Sequence, residues 1–179
     1  IVSGSSDAAS SGGLNLLTSN SGTASTSGET SLVTGVSPSG TSGIVKVVTG
    51  AAGGALESGA VLMTAGDSDI LVGGDIHIAS GISTNGIGGT IQMNLGVGTT
   101  SSSGDFMLQS AAAGSSASSG RVEIQTGTAV NANTGSISMS VGTSVSGSSS
   151  PINVAAGIGG SSKGGSISIN SGLSTDITG

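Results

Sequence analysis

The stretches GGSISINSG (164–172) and TGSISMSVG (134–142) share GSIS at positions two repeats apart, and each places alternating apolar and polar residues between glycines. Working outward from them, the same register begins at Gly12, Gly28, Gly43, Gly59, Gly74, Gly89, Gly104, Gly120, Gly135, Ser150 and Gly165. The steps are 15 or 16 residues, and the registers span nearly all of the 179-residue chain.

Aligned in columns, the registers agree closely. The third position holds Leu14, Val45, Val61, Ile76, Ile91, Phe106, Val122, Ile137, Ile152 and Ile167, with Thr30 as the one polar member. The fifth holds Leu16, Leu32, Val47, Met63, Ile78, Met93, Leu108, Ile124, Met139, Val154 and Ile169. Between them the fourth is mostly polar, with Asn15, Lys46, His77, Gln92 and Glu123 among its members. Period two predicts a strand with one buried face. The eighth position is Gly35, Gly50, Gly66, Gly81, Gly96, Gly127, Gly142, Gly157 and Gly172, with Ser19 and Ala111 as exceptions. These glycines read as corners, where backbone needs positive φ or close approach. The tenth position, from Ser21 to Ser174, is small in every register, which suggests a wall lying tight against the bulky columns.

Together these features predict an all-β fold: a parallel β-solenoid, or β-helix, of about eleven coils of 15–16 residues with a thin, flattened cross-section. On this reading residues 1–179 are expected to form a single β-solenoid repeat domain. With no polar cap at either end, it reads as a section of a longer repeat protein or as a unit that stacks end to end.

Composition bounds the rest. Gly, Ser and Thr number 35, 39 and 18; Phe106 is the one aromatic, and Trp, Tyr and Cys are absent. Disordered proteins combine low hydropathy with high net charge, whereas only 7% of these residues are charged and apolar ones are spread evenly. Lys46, Arg121 and Lys163 are the only basic residues in a protein of net charge −6, too few for nucleic-acid binding. No apolar run approaches the ~18 residues of a membrane span. No signal peptide is visible, and zero cysteines exclude a disulfide framework.

No catalytic or cofactor-binding set emerges, so the protein reads as a non-enzyme. His77 beside Asp75 lacks a third group to orient it and reads as a solvated face residue. Asp67, Asp69 and Asp75 are the candidate metal ligands, oxygen donors suited to Ca²⁺. Calcium-binding solenoids repeat their acids in every coil and this sequence does not, so an acidic patch is the preferred reading and no metal is expected. The GIGG stretches at 86–89 and 157–160 lack the Lys-Ser/Thr ending of a phosphate loop. None of the eight asparagines begins an N-glycosylation sequon, and O-linked glycans on the Ser/Thr spacers are the remaining sugar partner. Leu17, Val33 and Val48 in the sixth column are either an exposed lateral contact or a wider core.

The pattern in GIVKVVTG (43–50), GRVEIQTG (120–127) and GSISINSG (165–172) resembles the Gly/Ser/Thr-rich tandem-repeat β-solenoid segments of large secreted algal and stramenopile surface proteins. The resemblance implies an extracellular or cell-surface location and a structural role. The coil length is also similar to that of solenoid antifreeze proteins. The expected function is a non-enzymatic structural module of an extracellular filament, built by stacking β-coils. The alternatives are an ice-binding or carbohydrate-binding solenoid with one flat face, and a stalk that spaces an adhesin domain. The expected partners are further repeats of the same protein or other copies, end to end or laterally, with no nucleic acid and no membrane span.

Overall fold

The computed structural model describes residues 1–7, 10–23, 25–160 and 162–173; Ser174 of the tenth column lies outside them. Alternation at period two is a local property, and it survives in the structure. The glycine-bounded segments 59–66, 74–81, 89–96, 120–127, 135–142 and 165–172 run without a turn or bend. Within them, residues two apart meet on one face. Arg121 pairs with Glu123, and the Asn170 amide donates to Ser168 Oγ at 3.0 Å. Such i, i+2 partners face each other on extended backbone and not on a helix.

The bends are as periodic as the apolar columns. In the 15-residue steps they fall at the eleventh to thirteenth positions, as at 38–40, 69–71, 84–86, 99–101, 130–132 and 145–147. At five positions the tenth residue takes part in the bend in one of two ways. Where it is Ser68, Ser83 or Ser144, its Oγ accepts the backbone N–H three residues on, from Leu71 (3.1 Å), Gly86 (2.9 Å) and Gly147 (2.9 Å). Serine turns of this kind offer the backbone a local alternative to a ladder. Where it is glycine, the bend folds back over it. A Cβ on Gly98 would meet the Ser101 oxygen at 2.5 Å, and one on Gly159 would meet the Lys163 oxygen at 2.5 Å. At these five positions the tenth residue is small because of what the bend requires, and no wall shelters the third and fifth columns, which are exposed.

Five spacers have their two ends joined by a backbone bond. Gly12 N–H donates to Gly4 O, Gly74 to Gly66, Gly89 to Gly81, Gly104 to Gly96 and Gly165 to Gly157, at 2.8–3.3 Å. All five join residues eight apart. Among the described residues, no such bond closes a 16-residue step. Those steps use other devices: a turn from Gly114 O to Ala117 N–H, Ser21 Oγ donating to Ser25 O, and Ala52 N–H reaching Ser58 Oγ at 3.3 Å. In the last, Gly54 takes φ of 72°, a conformation costly for a residue with a Cβ.

The expected solenoid is not formed. The described residues contain no helix and no β-strand, so the protein is not an all-β, parallel β-solenoid or β-helix of stacked coils. Every backbone–backbone bond among the described residues joins positions eight or three apart, and none links one period to the next at the 15-residue repeat. Packed proteins make roughly one hydrogen bond per residue, and the described residues fall far short of it in backbone bonds. The exposed surface agrees. It amounts to 17682 Å², whereas a packed protein of this mass exposes about 7,500 Å² and an unfolded one about 24,000 Å². No side chain is buried among the described residues. The physical cause is composition. Serine hydroxyls capture backbone donors locally, glycine raises the entropy lost on ordering, and a period with a few aliphatic side chains and no aromatics has little to bury.

The protein divides into two units, Ile1–Gln92 and Met93–Gly179. The first holds the closures at Gly4–Gly12, Gly66–Gly74 and Gly81–Gly89; the second holds those at Gly96–Gly104 and Gly157–Gly165.

Candidate functional site

The feature that recurs in both units is a graded apolar row. Third-position side chains are about half exposed, from 47% at Ile91 to 63% at Leu14. Fifth-position ones are more open, from 59% at Ile78 to 92% at Ile169. The large apolar members of the seventh column, Leu95 and Val141, match the third at 47%. Apolar residues in the spacers are nearly fully exposed, as at Ile82, Ile87, Val145 and Ile158. The third and seventh positions are thus the more sheltered, while the fifth are about as open as the even-position Leu62, Met107, Leu17, Val33 and Val48. The last three are all exposed, so they do not form a wider core.

A contact repeated across the spacers explains the first column. A Cβ on Gly28, Gly43 or Gly59 would come within 3.3–3.4 Å of the side chain of Thr18, Thr34 or Thr49. Ala65, Ser80 and Ala156 stand 3.2–3.3 Å from the corresponding points on Gly74, Gly89 and Gly165. Each of these six first-column glycines is therefore the seat of the preceding seventh-column side chain, whereas at Gly104 a Cβ would meet nothing within 4 Å. Those hydroxyls and methyls lie against the next segment. The corner glycines of the eighth column behave differently. At Gly35, Gly50, Gly66, Gly81, Gly96, Gly127, Gly142, Gly157 and Gly172 a Cβ would meet nothing within 4 Å. Their φ angles are not in the left-handed region, which Gly54 alone occupies among the described glycines. Their part in the structure is played by the carbonyls of Gly66, Gly81, Gly96 and Gly157, which accept the closing bonds.

The chemical candidates stay apart. Among the described residues no three of His, Cys, Asp or Glu gather as a ligand set, so Asp67, Asp69 and Asp75 do not converge. His77 and Asp75 are both exposed. No cavity is present among the described residues, and no helix among them is long and apolar enough to cross a membrane. The GIGG stretches serve the closures, since Gly89 donates to Gly81 and Gly157 accepts from Gly165.

Two features escape the alignment. Ser3 and Gly4 act as seventh and eighth residues for Gly12, with Ser3 Cβ 3.5 Å from the Gly12 Cβ position. The serine caps are the other, and their signal is a tenth-position Ser followed three residues later by the end of the bend. The sequence matches no protein-family model, and no curated protein or solved structure is similar to it.

Proposed function

We propose that the protein is a non-enzymatic structural segment of an extracellular or cell-surface assembly, and that it associates through its apolar row with further repeats or with other copies. One observation carries this reading: in period after period, third- and fifth-position aliphatic side chains share a face and stay at least half exposed or nearly so. Such a recurring apolar surface is costly in water and is relieved by a partner with the same spacing. A protein with 7% charged residues sets little repulsion against its own copies. The surface location rests on the resemblance of the repeat to secreted Gly/Ser/Thr-rich proteins.

Sedimentation velocity over a wide concentration range tests the reading. The wild-type protein is expected to associate as concentration rises. A variant carrying Ile76→Asn, Ile91→Asn, Ile137→Asn and Ile152→Asn is expected to remain monomeric. Wild-type protein that stays monomeric at high concentration removes the proposal.

A further inference from the structure

We propose that Asn85 is a site of spontaneous deamidation and that the Ser83 hydroxyl sets its rate. Of the eight asparagines only Asn85 precedes glycine; the others precede Leu16, Ser21, Leu95, Ala132, Thr134, Val154 and Ser171. Glycine leaves its own nitrogen open to approach the preceding carboxamide, because no Cβ stands in the way. Asn85 lies exposed in the bend at 84–86, between the nearly fully exposed Ile82 and Ile87, on backbone held by local contacts alone.

The reaction needs only water. The Gly86 backbone nitrogen gives its proton to solvent and attacks Asn85 Cγ. A new bond forms between that nitrogen and Cγ, the bond from Cγ to the carboxamide nitrogen Nδ2 breaks, and ammonia leaves, closing a five-membered imide. Water then opens either carbonyl. One opening gives aspartate; the other gives isoaspartate, with the backbone rerouted through Cγ. In net terms an amide and water become a carboxylic acid and ammonia.

The structure places a restraint on the attacking atom. Gly86 N–H donates to Ser83 Oγ at 2.9 Å, and that oxygen lies 3.2 Å from where a Gly86 Cβ would stand. The bond holds the proton that must leave and ties the nitrogen to the serine. Ser144 and Gly147 repeat the arrangement with Ser146 in place of the asparagine, so the serine bond is a general feature of these bends and the chemistry is particular to one. The consequence falls within a closed spacer. A carboxylate adds negative charge at 85, and isoaspartate lengthens the backbone between Gly81 and Gly89, whose ends are bonded at 2.8 Å. In a long-lived protein each copy thereby acquires charge and a loosened spacer with age. This inference does not depend on self-association.

Peptide mass spectrometry of the full-length protein, incubated at mildly alkaline pH, reads the reaction as the mass gain of amide to acid; fragmentation separates the two isomers. Asn85 is expected to convert ahead of the other seven. S83A is expected to speed Asn85 several-fold with the others unchanged, wild type in urea to approach S83A, and G86A to slow the reaction. Conversion at Asn85 no faster than elsewhere overturns the site. An S83A rate equal to or below wild type overturns the role of the hydroxyl.

Discussion

A Cβ added at Gly89 comes 3.2 Å from both the Gly81 nitrogen and Ser80 Cβ. Gly89→Ala should push the spacer ends apart and remove the Gly89–Gly81 bond, a loss of about 1 kcal/mol. Amide exchange at residue 89 is the measurement, with wild-type protection expected to disappear. Gly81→Ala is the control, because a Cβ there meets nothing. A second pair separates the two kinds of bend. Gly98→Ala must displace the Ser101 and Ser102 carbonyls, so NMR shifts should change throughout that spacer, whereas Gly96→Ala should leave them in place. Alignment alone marks the first and eighth glycines as equivalent corners. Gly89 and Gly81 differ because one faces a seventh-column side chain and the other open solvent, and that depends on which ends meet.

The spacer is the element that these residues build. Its closing bond occurs only at a separation of eight, in the 15-residue steps. Inserting one glycine between Ile87 and Gly88 converts such a step to 16 residues. One more residue adds little loop-closure entropy, so the expected loss of Gly89 amide protection is geometric in origin. Protection that persists after the insertion would show the closure to be independent of step length. Step lengths are plainly readable in the repeat, and so is the Ser-x-x spacing of the bends. Their meaning is not: the same 15-residue period suits both stacked coils and a succession of locally closed spacers. The apolar row has the same ambiguity, since Ile76, Ile91 and Ile137 alternate with polar neighbours whether or not anything covers them.

For the molecule, the consequence is the lack of a core among the described residues. A packed domain of 179 residues absorbs roughly 0.7 kcal/mol per residue on unfolding. The dilute monomer should show no calorimetric peak and only gradual spectroscopic change on heating, because no side chain is buried among the described residues. A sharp, concentration-independent transition in the monomer would contradict this exposed state. A transition that grows with concentration is what association through the apolar row produces.

Local chemistry is the part that the amino-acid order determines by itself: the period, the alternation of side chains, the place of the bends and the serine or glycine that makes several of them. These follow from interactions spanning two to ten residues. Only the tertiary structure decided whether one period pairs with the next. That step needs apolar burial large enough to offset the ordering of glycine- and serine-rich backbone, and single aliphatic side chains, with no aromatics beyond Phe106, leave the bonds local and the row open.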